Sequence, residues 1–434
     1  MRGSIRDIKR VKYYSKMPAT LKTNKNKLAI LVGDGPAPGI NGVISAATIE
    51  AVNQGVEVIG IRDGFRWISE GNTNHIDRLT MENTSRIHNT GGSIIGISRV
   101  SPLSDTKGMK NTLDCLKKLD VKYLITIGGD GTLYLASRLE KESKGRIKIV
   151  HVPKTIDNNM PIPGHIPTFG YETARHIGTG LVHHLMEDAK TTSRWYFVVT
   201  MGRKTGHLAL GIGKASGATL TIIPEEFQEK KISLKKITTI LEGAIIKRMS
   251  MGREDGVAIL AEGITDKLNE DELKKLTDLN MDEHGRIRLS EVDLGQLLKQ
   301  QTIKSLSEKG VDARIVDTTI GYELRSAPPI PFDASYTRNL GYSAVKFLLL
   351  GGSGALITIQ RNKKVPIPFD KVIDPKTDSA NVRFVDVNTE SFEVAQKYMI
   401  KLTKEDLADR KELKNLAALT NMKPSEFKAY FSAI

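Results

Sequence analysis

The sequence predicts an α/β protein with mostly parallel sheets, divided between two lobes of similar size. Three observations carry that expectation. Short, almost wholly apolar runs recur along the chain, as strands buried on both faces require. Stretches of helical periodicity separate them, and such alternation is what the crossovers of a parallel sheet need. The chain has 434 residues, 39% hydrophobic and 26% charged, enough for two or three domains with real cores, and shows no fixed-period repeat.

The first run, Lys27–Gly33 (KLAILVG), leads into glycine-rich sequence and reads as a buried parallel strand. An apolar-periodic helix follows from Asn41 to Ala51, then a second strand, Val56–Ile61. Further strands are expected at Tyr123–Gly129, Ile147–Pro153, Tyr196–Thr200, Thr219–Pro224 and Gly256–Gly263. Helical patterns lie among them, including Tyr171–Ala189 and Ala334–Leu350. Residues 263–312 break the rhythm with charged helical sequence (Asn269–Leu276, Asp293–Lys309) and are expected to form a helical elaboration. The tail, Lys401–Ile434, reads as one or two amphipathic helices.

Composition removes several classes. No run approaches the roughly 18–20 apolar residues of a membrane span, and no apolar stretch follows the N-terminal charges as in a secretory signal. The single cysteine, Cys115, rules out an internal disulfide and a four-cysteine zinc site, so a reducing cytoplasm is the expected location. Lys and Arg number 64 against 50 Asp and Glu, a net +14. Residues 1–27 hold nine of those cations and one acid, Asp7. A basic arm can grip a polyanion. The signatures of nucleic-acid modules are missing, however, so a solvated extension is expected and nucleic acid is not an expected partner.

The unusual loops all follow expected strands, and ligands of open α/β sheets bind beyond the carboxyl ends of the strands. The first is Gly33-Asp34-Gly35-Pro36-Ala37-Pro38-Gly39, where glycines let backbone N–H groups approach phosphate oxygens. The second, Gly128-Gly129-Asp130-Gly131-Thr132, offers glycines, a carboxylate and a hydroxyl suited to a phosphate tail with Mg²⁺. The third is Pro153-Lys154-Thr155-Ile156-Asp157-Asn158-Asn159, whose Asp157 suits a base accepting an alcohol proton while Lys154 offsets phosphate charge. Met201-Gly202-Arg203, Glu262 and Gly321-Tyr322-Glu323-Leu324-Arg325 complete the set, with Arg194 just ahead of one strand. Arginine forks bond two phosphate oxygens at once. The loops together point to phosphoryl transfer onto a phosphorylated acceptor.

In order, GDGPAPGIN, GGDGT, PKTIDNN, MGR and GYELR resemble the motifs of the 6-phosphofructokinase family, over about Lys27 to Ile359. The resemblance implies two Rossmann-like lobes with the active site in the cleft between them. It implies a donor-binding lobe at 27–168 and about 325–367, and a sugar-phosphate lobe at 169–324 and about 368–400. Outside these lie the arm 1–26 and the helical extension 401–434. It implies phosphoryl transfer from ATP with Mg²⁺ to the 1-hydroxyl of fructose 6-phosphate, a step of glycolysis. Asp157 would be the general base, with Thr155 and Arg203 beside it, and Asp130 would hold the metal. Gly35, Arg99, Val100, Gly129, Gly131, Thr132 and Lys154 would face the donor. Met201, Gly202, Arg203, Glu262, Tyr322 and Arg325 would contact the sugar phosphate. Arg194 would reach in from a neighbouring subunit, so a dimer or tetramer is expected.

The donor is weighed from two positions and from the GYELR end, which resembles the pyrophosphate-related branch. Pyrophosphate-using members carry a second aspartate where this chain has Gly131; a glycine leaves room for the α-phosphate of a nucleotide and favours ATP. Lys154 resembles the pyrophosphate users. The balance is placed with ATP, with a pyrophosphate-dependent phosphotransferase as the alternative. The second alternative is a catalytically weakened member acting as a regulatory or binding partner. Asn159 stands where the family has a second aspartate and motivates that last reading. Val316 stands where bacterial ATP enzymes have an arginine, which Arg314 or a lysine from elsewhere would replace.

Overall fold

The computed structural model describes residues 24–164, 166–276, 292–377 and 379–432. The basic arm therefore lies almost wholly outside the described residues. Among the described residues, fourteen strands run in chain order. The first six are β1 (Asn24–Val32), β2 (Val56–Ile61), β3 (Ile76–Leu79), β4 (Val121–Gly128), β5 (Lys148–Thr155) and β6 (Phe169–Gly170). Then come β7 (Trp195–Thr200), β8 (Leu220–Ile222), β9 (Gly256–Ala261) and β10 (Ile315–Ile320). The last four are β11 (Ala355–Gln360), β12 (Lys363–Pro368), β13 (Ile373–Asp374) and β14 (Ser379–Ala380).

They build two main sheets. The larger has the order β12-β11-β5-β4-β1-β2-β3, with β6 added beside β5; the smaller has the order β10-β7-β9-β8. The interior of the large sheet is parallel, and antiparallel strands close it at both edges, β3 beside β2 and β12 beside β11. The four-stranded sheet is parallel throughout. The sheets are thus unequal, eight strands against four.

Apolar faces dictate the layers. Leu28, Ile30 and Val32 point to one side of β1 and pack with the helices Ile40–Asn53 and Pro331–Leu349. Ala29 and Leu31 point to the other side and meet Leu116 and Leu133 of the helices Gly108–Lys118 and Asp130–Ser143. The small sheet is sandwiched in the same way. Val198 faces the helices Tyr171–Thr192 and His207–Ser216. Phe197 and Val199 face the helices Leu234–Ser250 and Leu294–Glu308. Both faces of each sheet are covered, which is why its strands read as continuous apolar runs.

The insertion after β9 is helical where described (Ile264–Lys267, Glu270–Leu276, Leu294–Glu308). The tail forms three short helices rather than one or two: Lys404–Ala408, Arg410–Ala418 and Pro424–Phe431. Asp409 ends the first and caps the second, accepting from the backbone of Lys411 and Glu412. That capping signal lies inside an unbroken amphipathic pattern.

Candidate active site

Six strand ends converge on one cleft. From the large sheet, β1 delivers Asp34 and Gly35, β4 delivers Gly129 and Asp130, and β5 delivers Lys154, Thr155 and Asp157. From the small sheet, β7 delivers Met201 and Arg203, β9 delivers Glu262, and β10 delivers Tyr322 and Arg325. These residues, with Arg99, line a cavity of about 310 Å³. A wider space of about 670 Å³ shares Asp130, Met201, Arg203, Glu262 and Tyr322 and extends to Asn159, Asp293 and Val382.

The centre is an ionic cluster. The Arg203 guanidinium donates to Asp130 at 2.7 Å and lies 3.8 Å from the carboxylate of Asp157. Asp157 is buried, and its backbone N–H donates to the Thr155 hydroxyl at 3.0 Å. Burial raises the Asp157 pKa above the usual carboxylate value, against the pull of Arg203, Thr155 and Lys154. The ammonium of Lys154 bonds to the carbonyl of Gly35. Burial lowers its pKa to about 8, with Asp34 and Asp157 acting in the opposite direction. Arg325 is lowered too, by burial first and then by the neighbouring Arg99. Four cations, Arg99, Lys154, Arg203 and Arg325, thus stand in the cleft among four carboxylates, Asp34, Asp130, Asp157 and Glu262.

Supporting bonds act within the small sheet and across to the large one. Glu262 accepts the backbone N–H groups of Gly202 (3.2 Å) and Arg203 (2.5 Å), holding Arg203 in a left-handed conformation, φ 51°. The Thr205 hydroxyl lies 3.3 Å from the carbonyl of Asp157. Burial raises the Glu262 pKa, while the two backbone donors lower it.

Several expected residues do not line the smaller cavity. Thr132 is buried, with its hydroxyl on Asp34; Gly131 is exposed at the start of its helix; Gly202 is buried against Glu262; Val100 lies on the surface beside Arg99. Arg194 precedes β7, at the opposite end of the strand from Met201, and its Nε is buried with no partner. Arg314 stands beside it, its carbonyl accepting from Trp195 at 2.8 Å.

Two supports were not singled out from the sequence. Asp34 accepts from the backbone of Gly129 (2.7 Å) and Thr132 (3.2 Å) and from the Thr132 hydroxyl (2.7 Å). Arg383 lies beyond β14, where its guanidinium donates to the carbonyls of Asn158, Ile162 and Ile166 and to the side chain of Asn158. Its own N–H reaches the carbonyl of Asn159, and its carbonyl meets His207 of the second sheet's layer at 3.1 Å. Arginine after a short β-ladder carries no local signal of either contact.

Residues 27–348 match the family described as Phosphofructokinase. The chain belongs to that family. Among curated phosphofructokinase relatives, a pyrophosphate–fructose 6-phosphate 1-phosphotransferase of Thermotoga maritima is 53% identical over 93% of this chain and 97% of its own length. A Naegleria fowleri protein of the same name is 45% identical over 95% of this chain and 97% of its own. An ATP-dependent 6-phosphofructokinase of Halalkalibacterium halodurans is 28% identical over 81% of this chain and 94% of its own. A pyrophosphate-dependent phosphofructokinase structure from Marinobacter aquaeolei shares the fold with TM-score 0.64 at 15% identity, covering 90% of this chain and 91% of its own. The Saccharomyces cerevisiae phosphofructokinase structure does so with TM-score 0.63 at 22% identity; the match covers 94% of this chain and half of the yeast chain.

Proposed function

We propose that this chain transfers a phosphoryl group from pyrophosphate to the 1-hydroxyl of fructose 6-phosphate, giving fructose 1,6-bisphosphate and orthophosphate. The observation that carries the donor is the pair of relatives at 53% and 45% identity, each named for pyrophosphate and each matched over at least 93% of this chain. Lys154, buried at the cleft floor among phosphate-seeking cations, supports it.

In this reading Asp157 takes the proton of the sugar hydroxyl as the oxygen attacks the donor phosphorus, and orthophosphate leaves. Arg203 touches both catalytic carboxylates and stabilises charge on the group in flight. Gly35, Arg99 and Lys154 face the donor, while Met201, Glu262, Tyr322 and Arg325 face the sugar phosphate. Arg194 serves the site of a second copy, which makes a homo-oligomer the working enzyme. Asp130 is a half-exposed carboxylate at the cleft, and among the described residues no three metal-binding side chains converge. That donor set fits a magnesium ion carried in largely by phosphate oxygens, with Asp130 as its protein ligand. When bound, the ion neutralises phosphate charge.

The deciding measurement is fructose 1,6-bisphosphate formation with Mg²⁺, offering each donor separately. Turnover with pyrophosphate and little with ATP is expected. Turnover with ATP alone transfers the conclusion to the second reading, an ATP-dependent kinase, which the lack of a side chain at Gly131 favours. Silence with both, in folded protein, overturns the enzymatic reading and directs attention to Asn159.

A further inference from the structure

We propose that Asp34 is the residue by which this chain selects a bare diphosphate over a nucleoside triphosphate. The inference rests on the pyrophosphate reading and names the group that enforces it. The helix Asp130–Ser143 begins at the cleft, and the free N–H groups of a helix N-terminus ordinarily attract a phosphate. Here two of them, those of Gly129 and Thr132, are already taken. Oδ2 of Asp34 accepts from the backbone of Gly129 at 2.7 Å, from the backbone of Thr132 at 3.2 Å and from the Thr132 hydroxyl at 2.7 Å.

The other oxygen, Oδ1, turns toward Gly131. A Cβ built on Gly131 would come within 3.0 Å of it. The space that glycine leaves at position 131 is therefore faced by a carboxylate supplied from a different loop. Asp34 lines the smaller cavity together with Gly129, Asp130 and Lys154. A donor extending along this helix start would bring its next phosphate against a fixed negative charge, with the backbone donors of Gly129 and Thr132 unavailable to it. A donor that ends after two phosphoryl groups stops short, within reach of Lys154, Arg99 and Arg203.

The backbone supports a role for the side chain. Asp34 adopts φ 63°, the left-handed region that favours glycine. Keeping an aspartate there has a conformational cost that its three accepted hydrogen bonds offset.

Two variants test this. Asp34→Gly suits the local backbone and frees the helix donors. Asp34→Asn keeps the volume and an acceptor oxygen while removing the charge. For each, kcat/KM is measured with pyrophosphate and with ATP, and binding of a non-hydrolysable ATP analogue is measured by calorimetry. The expected result in both is an ATP-to-pyrophosphate ratio raised by about tenfold or more, with tighter nucleotide binding. A proportional loss with both donors and unchanged nucleotide binding would overturn the proposal, leaving Asp34 as a helix cap alone. Should Asp34→Gly fail to fold, Asp34→Asn decides. The wild-type donor preference in the same assay tests the pyrophosphate reading separately. A wild type that prefers ATP sinks that reading, and the shift between wild type and variants still judges Asp34.

Discussion

Lys154, at the end of β5, and Asp157, three positions on, are pushed by burial toward neutrality from opposite sides. The consequence is a bell-shaped pH dependence. In the proposed mechanism Asp157 is the general base and must be ionised, so activity should fall as pH drops through its pKa, which burial raises. A phosphate-binding ammonium must be protonated, so kcat/KM falls as pH rises past about 8. Lys154→Met is expected to weaken donor binding and flatten the alkaline limb; an unchanged limb would detach it from Lys154. Asp157→Asn removes the base, and a loss of about 10²–10⁴-fold in kcat is expected, with KM for fructose 6-phosphate changed much less. Steady-state rates across pH for both variants check these expectations.

At the scale of elements, the cleft depends on how rigidly its loops are held. Arg383 satisfies the carbonyls of Asn158, Ile162 and Ile166 from a segment that also touches His207, so it ties the base-bearing loop to the second sheet. Arg383→Met strips those carbonyls of their donor. A stability loss of about 3 kcal/mol or more is expected by urea denaturation, together with a fall in kcat larger than the change in KM. The helices Ile40–Asn53 and Pro331–Leu349 meet closely at Gly341, where a Cβ would lie 2.5 Å from the carbonyl of Val43. Gly341→Leu should cost at least about 1–3 kcal/mol in the same measurement.

The seven strands expected from apolar runs all appear, because each is buried on both faces. Of those not foreseen, β11 (ALITIQ) carries the same buried apolar run, while β3 and β10 lack it. β3 is four residues with one buried position, and β10 carries Asp317, Thr318 and Thr319 at partly or fully open positions. The β11–β12 hairpin turns through Arg361 and Asn362, both at positive φ, without the glycine that would mark such a turn. The strand-end loops of the site were legible because glycines and charges stand directly after apolar runs. Asp34 and Arg383 were not legible as supports, since their partners lie 95 and 225 positions away and only the fold brings them together.

On the scale of the whole molecule, the cleft is assembled from both sheets, and Arg194 stands at the far end of β7 from it. If Arg194 serves a second copy, two inactive variants should complement each other. Arg194→Ala and Asp157→Asn are each expected to be nearly inactive. Unfolding and refolding them together should restore turnover that neither parent shows, because some hybrid sites carry both native residues. No recovery from well-folded hybrids would confine Arg194 to its own subunit.

The chain leaves the large sheet after the short β6 and returns to it only with β11, paired through Ala355 to Val150 and Leu356 to His151. About 180 residues intervene, and the four-stranded sheet is complete within them. At ribosomal pace that interval lasts roughly 10–40 s. During synthesis a finished small sheet therefore hangs beside a large one whose β5 edge is mostly bare. Such an edge is an invitation to strand-adding neighbours, including other nascent copies. A premature stop before Ala355 would make that exposure permanent, so truncated products should be cleared or aggregate rather than accumulate as half-enzymes.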